Sequence, residues 1–265
     1  MAVALIAGEG ALPEEIAMRL ARVGEHPVVY AMREDCEAFS DYAADIVPVF
    51  KTELAASLAD MASRGVRKVM FAGLVPKTLM YRPEMLDKMA RKLVDDLENR
   101  DDHTLLGSIV AIFERAGFSV VGYTDILSDL IAQPGFVAGR CPTDDETADV
   151  RYGIEIARTV APLSFGQSIV VNRRSVVAVE AMEGTDATIL RAGALCRKGV
   201  LVKMIKQGQD PRFDIPVVGP NTLNLMNKAG LTCLAVRAGW TLVISPDEFA
   251  AVAREYNLSV TGIDY

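Results

Sequence analysis

Histidine, cysteine and tryptophan are scarce in this chain of 265 residues, which holds two, four and one of them. Cys36, Cys141, Cys196 and Cys233 stand singly with no CxxC, so neither a disulfide framework nor a zinc site is signalled and reduced, mostly buried thiols are expected. No apolar run reaches the roughly 18–20 residues that span a bilayer. The opening MAVALIAGEG has no basic stretch and no cleavage site, which predicts a soluble, cytosolic protein. There is no Lys/Arg-rich run, and 35 acidic against 28 basic side chains give a net charge of −7. That excludes the phosphate-neutralising footprint of a nucleic-acid binder, so an anionic ligand has to be met by a local site. Absent as well are G-x-S-x-G, H-E-x-x-H and the Walker A pattern.

What is present is apolar material: 51% hydrophobic residues and a mean hydropathy of +0.22 suffice for one large packed domain or two small ones. Residues 2–7 read as a strand, GEGA as a glycine loop and 12–24 as a helix with Pro13 in its first turn. Glu14 and Glu15 complement the positive end of that helix, Arg19 and Arg22 the negative end. A second apolar run at 27–32 completes a βαβ unit, hence parallel strands. Further strands are expected at 45–49, 66–72 and 118–122, with helices at about 52–64, 84–98 and 104–116. This alternation predicts an α/β fold with a Rossmann-like N-terminal domain on a parallel sheet. Between 131 and 146 the text IAQPGFVAGRCPTDDE shows neither period, which puts a boundary between domains at 1–132 and 133–265. Beyond it the pattern predicts a helix over 144–160 and a hairpin around Asn172-Arg173-Arg174. A helix over 185–197 capped by Thr185, strands at 200–205 and 231–236 and a last helix over 246–256 complete a smaller α/β domain.

Three stretches offer chemistry. Gly8 and Gly10, followed by Leu12 and Pro13, supply two glycines of a dinucleotide fingerprint without the third, and Arg33 follows the second strand where a ribose phosphate would lie. A structural strand-to-helix turn is the plainer account. Asp101 and Asp102 precede a helix; a cap with a solvated neighbour is the plainer account, and ligands for a sugar or a metal the alternative, with His103 beside them as a candidate acid or base. Residues 180–187 form an acidic turn containing Glu183, Thr185 and Asp186, and residues 203–214 pack Lys203, Lys206, Gln209, Asp210, Arg212 and Asp214 into one loop. Hard carboxylate oxygens suit Mg²⁺, and cations beside them suit phosphate, so this combination points to phosphoryl chemistry; a solvated turn with internal salt bridges is the alternative.

ALIAGEGALP at 4–13, VMFAGLVPK at 69–77, RDDHTLL at 100–106, GQSIVV at 166–171, VVAVEAMEGTDATILRAG at 176–193 and LVKMIKQGQDPRFDIPVVGPNT at 201–222 extend through nearly the whole chain. Together they resemble the UDP-2,3-diacylglucosamine pyrophosphatases of lipid A biosynthesis, of the metal-dependent type found in Gram-negative bacteria that lack the calcineurin-like version. Gln207 stands where that family has proline, and Arg100 where a glycine precedes the aspartate pair.

The resemblance implies hydrolysis of UDP-2,3-diacylglucosamine to UMP and 2,3-diacylglucosamine 1-phosphate (lipid X), with water attacking the α-phosphorus and Mg²⁺, or Mn²⁺ in its place, as cofactor. It implies a substrate held between the two domains. Asp210, Asp214, Arg212 and Lys203 carry over as catalytic residues, and Asp210, Asp214, Glu183 and Asp186 as metal ligands. Gly8, Gly10, Leu12, Pro13, Asp101, Asp102, Thr185, Lys206 and Gln209 carry over as substrate contacts. Peripheral contact with the cytoplasmic face of the inner membrane and a homodimer are further expectations. Two other classes fit the first 35 residues: an NADP-dependent oxidoreductase using Arg33, and a nucleotide-sugar sensor without turnover.

Overall fold

The opening apolar run forms β1 (Ala2–Ala7), followed by α1 (Leu12–Arg22) and β2 (Val28–Ala31). Pro13 takes a first-turn position where its missing N–H costs no hydrogen bond, and Glu14, Glu15, Arg19 and Arg22 sit at the ends their charges favour. Then come β3 (Asp45–Pro48), α2 (Leu54–Ser63), β4 (Val66–Ala72), α3 (Lys88–Asp95), α4 (Asp102–Arg115) and β5 (Ser119–Val120). The five strands pair in the order β3-β2-β1-β4-β5, all in parallel, which is the Rossmann-like sheet the alternation predicts. Tyr30, Met61, Val69, Phe71, Phe113 and Phe118 fill the core on one face of it, with the Phe71 and Phe113 rings edge to face at 5.1 Å. The helix expected over 84–98 is shorter because Asp87 caps it, accepting from the Ala90 N–H at 2.7 Å.

In the second half stand β6 (Gly135–Gly139), α5 (Asp144–Val160), β7 (Ser168–Asn172), β8 (Ser175–Val179), α6 (Gly184–Leu195) and β9 (Val200–Lys203). They are followed by β10 (Val217–Val218), α7 (Pro220–Ala229), β11 (Cys233–Arg237), β12 (Leu242–Val243), α8 (Pro246–Glu255) and β13 (Ser259–Ile263). A mixed six-stranded sheet runs β6-β13-β11-β9-β7-β8, and β10 pairs with β12. β6 lies inside the stretch that shows no periodicity in sequence, because it is a sheet-edge strand with two exposed residues at its start and glycine at each end. The hairpin turn holds Arg173 and Arg174 at φ 51° and 56°. Both residues' N–H groups donate to the Asp149 carboxylate, at 2.8 and 2.6 Å, which ties that left-handed turn to α5. One expectation is corrected here: Thr185 does not cap α6. Glu183 takes the cap position without a side-chain bond, and Thr185 lies inside the first turn.

The computed structural model describes residues 2–49, 53–75, 83–97, 102–163, 166–205 and 209–264, with Pro83, Asp102 and His103 by backbone alone. Contacts divide the chain into Met1–Ser128 with Asp210–Asp214, and Asp129–Gln209 with Ile215–Tyr265, units of nearly equal length. The five-residue loop 210–214 therefore belongs with the first unit although it lies far along the chain. Cys233 is buried, Cys36 and Cys196 half-buried and Cys141 exposed, all as free thiols. Burial pushes the Cys233 thiol up to about 12, which makes it inert. Among the described residues no helix is long and apolar enough to cross a membrane.

Candidate active site

In the first unit the loop after β1 meets the loop after β4 at the carboxyl ends of the strands. The Gly8 N–H donates to the Ala72 carbonyl at 2.8 Å, and Glu9 and Leu74 exchange N–H···O bonds at 2.8 and 2.9 Å. A Cβ on Gly8 would lie 2.6 Å from the Leu74 carbonyl oxygen. Gly8 is thus required by close backbone approach, with Leu12 and Pro13 buried beneath it. Gly8→Ala should lower stability by about 1–3 kcal/mol, read as a drop in thermal midpoint. An unchanged midpoint would mean that the two loops yield freely.

Gly10 differs. Its φ of +98° favours glycine, and a Cβ there would meet nothing within 4 Å. Its carbonyl accepts from Arg33 Nη1 at 2.8 Å. The Arg33 side chain, 12% exposed, is turned onto this loop and lies near the Phe39 ring.

The loop 210–214 is a tight turn, with the Asp214 and Phe213 N–H groups donating to the Asp210 carbonyl at 3.0 and 3.2 Å. Arg212 docks it. Its Nη2 donates to Asp210 Oδ2 at 2.8 Å and its Nε lies 3.1 Å from both carboxylate oxygens. Nη1 reaches Glu114 on α4 at 2.9 Å and the Val120 carbonyl at 3.4 Å. Bonds to Asp210, and next to Glu114, push the guanidinium's pKa further up, so it stays charged. Behind the turn the buried Tyr123 donates to the Phe213 carbonyl at 3.4 Å, and burial first, then the Asp214 charge, pushes its phenol up. Tyr123 had no signal in sequence, since it belongs to no motif and its partner lies 90 residues on.

In the second unit a polar cluster forms where β7, β9 and the start of α6 meet. Thr185 Oγ1 donates to Glu180 Oε2 at 2.9 Å, lies 3.2 Å from Ser168 Oγ, and accepts from Lys203 Nζ at 3.4 Å. Glu180, Ser168 and Lys203 are buried. Buried polar groups of this kind must be paired, so the cluster is mutually constrained. Glu180 and Ser168 join the candidate residues here; both lie within the quoted motifs, but burial, not residue type, singles them out. Gln209 Nε2 donates to Gln167 Oε1 at 3.3 Å. Glu183 is engaged by Arg191 and by Thr188 at 3.3 Å, and its own N–H together with Arg191 holds the carboxyl below its usual range. Asp186 accepts from Asn221 at 3.3 Å. Asp101 and Lys206 lie outside the described residues, and Asp102 opens α4.

Among the described residues no three His, Cys, Asp or Glu side chains form a group that could hold a metal. Mg²⁺ does not require such a cage, because it takes one or two carboxylates and completes its shell with water and substrate phosphate oxygens. Asp210 and Asp214, four residues apart on one turn, offer that minimal hard-oxygen set.

Family models described as the LpxI N-terminal domain and the LpxI C-terminal domain match residues 2–130 and 133–261. The UDP-2,3-diacylglucosamine pyrophosphatase LpxI of Caulobacter vibrioides is 31% identical over 275 residues, covering 98% of this chain and 96% of that protein. A solved structure, glycinamide-RNase-transformylase T from Mycobacterium tuberculosis, is similar over 68% of this chain and 44% of that one, at 15% identity and a TM-score of 0.25.

Proposed function

The chain belongs to the LpxI family, and from that premise we propose that it hydrolyses the diphosphate of UDP-2,3-diacylglucosamine to UMP and 2,3-diacylglucosamine 1-phosphate in lipid A biosynthesis. The observation that carries this reading is similarity running through both halves of the chain to a pyrophosphatase of that name. The site chemistry agrees with it. Asp210 and Asp214 would hold Mg²⁺, or Mn²⁺, against the substrate. The ion supplies charge neutralisation and polarisation at the phosphoryl group. Arg212 keeps the two carboxylates in place by docking their turn on Glu114 and Val120. Lys203, fixed through Thr185, brings a positive charge suited to diphosphate oxygens. Glu183 and Asp186, engaged by Arg191 and Asn221 as Asp210 is by Arg212, are the further candidates for the ion. Gly10 and Leu12 stand where backbone N–H groups would meet the nucleotide, since the Gly8 N–H is given to the Ala72 carbonyl and Pro13 has none.

An NADP oxidoreductase would need Arg33 available for a ribose phosphate. Its side chain is 12% exposed, with Nη1 donating to the Gly10 carbonyl and Nη2 3.6 Å from Asp35, an arrangement that favours a structural role for it. The reaction belongs on the cytoplasmic side of the inner membrane, with peripheral contact to reach a diacylated substrate and a homodimer as the assembly to test.

Purified protein should release UMP from UDP-2,3-diacylglucosamine with Mg²⁺ present, and excess EDTA should abolish release until Mg²⁺ or Mn²⁺ is restored. Release that persists in EDTA would remove the metal from the mechanism. No release under any condition would leave a nucleotide-sugar sensor as the better reading.

A further inference from the structure

The polar cluster at the start of α6 keeps two opposite charges away from water: Glu180 is 6% and Lys203 5% exposed, and Ser168 is fully buried. Backbone pairing sets most of this arrangement. Ser168 opens β7 directly opposite Lys203 at the end of β9, and the Glu180 N–H, just past β8, donates to the Ser168 carbonyl at 2.8 Å. A Cβ on Gly166 would collide with the Glu180 carbonyl, so the chain closes tightly around this residue. Burying a carboxylate is costly unless its oxygens are bonded and a counter-charge is near. Thr185 Oγ1 joins the two charges. A hydroxyl has one proton and two lone pairs, and a carboxylate only accepts. The proton therefore goes to Glu180 Oε2 at 2.9 Å, which leaves the lone pairs for the Ser168 hydroxyl at 3.2 Å and the Lys203 ammonium at 3.4 Å.

We propose that Glu180 is a positioning residue: acting through the Thr185 hydroxyl, it aims the Lys203 ammonium and offsets its charge, so that the cation is in place before the diphosphate arrives. The inference rests on the reaction proposed above, in which Lys203 meets diphosphate oxygens. A lysine is a compact charge on a flexible four-carbon stem, and by itself it has no fixed direction. A donor held ready for developing charge needs no rearrangement at the moment of reaction. Glu180 supplies that fixity without touching the substrate, because its acceptor oxygen decides which way the Thr185 lone pairs point.

Glu180→Gln keeps the shape, removes the charge and lets an amide N–H₂ turn toward Thr185. It should lower kcat/KM for UMP release by about tenfold or more, the worth of a hydrogen bond to a charged group. Thr185→Val should lose as much, and Thr185→Ser should keep most of the activity, because the hydroxyl carries the effect. In a Lys203→Met background Glu180→Gln should cost less than about twofold, since its target is gone. In parallel, a ¹H–¹⁵N spectrum of the lysine ammonium groups of the full chain should show a slowly exchanging Lys203 signal, assigned by its loss in Lys203→Met. That signal should be lost or moved in Glu180→Gln and Thr185→Val and kept in Thr185→Ser. No such signal in the wild type, an unchanged one in Glu180→Gln, or full additivity with Lys203→Met would overturn the inference. If the wild type releases no UMP, the reaction falls and the spectra alone decide whether Glu180 holds Lys203. If Glu180→Gln does not fold, Glu180→Asp, whose shorter arm withdraws the acceptor from Thr185, takes its place in both measurements.

Discussion

Asp214→Ala should cut UMP release by a few hundredfold at saturating substrate, with the circular dichroism spectrum and thermal midpoint close to those of the wild type. A loss of roughly 10²–10³ in kcat is what removal of one group stabilising transition-state charge costs. The side chain sits on a turn closed by backbone bonds to the Asp210 carbonyl, so truncation leaves the scaffold of the turn in place. Asp210→Ala should lose at least as much activity and also loosen the loop, because Arg212 then loses the carboxylate partner through which it grips the turn while its bonds to Glu114 and Val120 remain. Asp210→Asn keeps the shape and part of the hydrogen bonding. It separates the two effects: a kcat as low as that of Asp210→Ala points to lost charge, and partial recovery to lost positioning. Near-normal turnover in both alanine variants would reject these carboxylates as the catalytic pair.

The largest stability effect is expected in the second unit. Arg140 Nη1 and Nη2 hold the Glu146 carboxylate at 2.7 and 2.6 Å, Thr232 Oγ1 donates to it at 2.6 Å, and the Thr143 N–H at 2.8 Å closes a capping box at the start of α5. Burial alone would raise this carboxyl, but the bonds from Arg140, Thr232 and Thr143 outweigh it and bring it down to about 2. Removing one partner of a buried pair costs about 3–5 kcal/mol. The Arg140 side chain is 27% exposed, which places Glu146→Ala toward the lower end, about 3 kcal/mol.

The sign with pH follows from the depressed value. Above the ordinary glutamate value of 4.5 the full contribution is present, and it is lost as pH falls through about 2. Urea unfolding of the wild type and Glu146→Gln should therefore differ most at neutral pH and converge toward pH 2. A difference independent of pH would assign the effect to packing instead of charge.

Much of the architecture was legible along the chain because it is locally encoded. The pattern 2–32 specified β1, α1 and β2 through apolar runs, a first-turn proline and charges at the right helix ends. α5 and α8 likewise lie within a residue of where the periodicity puts them. Weakly patterned elements were not legible. β6 is a short edge strand with two exposed residues, and β10 and β12 have two residues each, too few to display a period. Thr185 followed the composition of a cap, yet its hydroxyl is drawn to Glu180 and Ser168, partners that a local rule does not consider.

The sequence by itself determined the α/β alternation, the parallel sheet and the motifs that mark the family, since each is written in residues close together along the chain. Only the tertiary structure decided that the loop 210–214 joins the first unit, through an Arg212–Glu114 bond between residues 98 apart in sequence. It alone decided that Gly8 serves close backbone contact with Leu74, and that Glu180 and Lys203 meet through Thr185. The physical reason is the same in each case. Periodicity and capping report which face of a segment is buried, but the identity of the atoms that meet there is set by packing between distant segments, and no short window of the chain contains both partners.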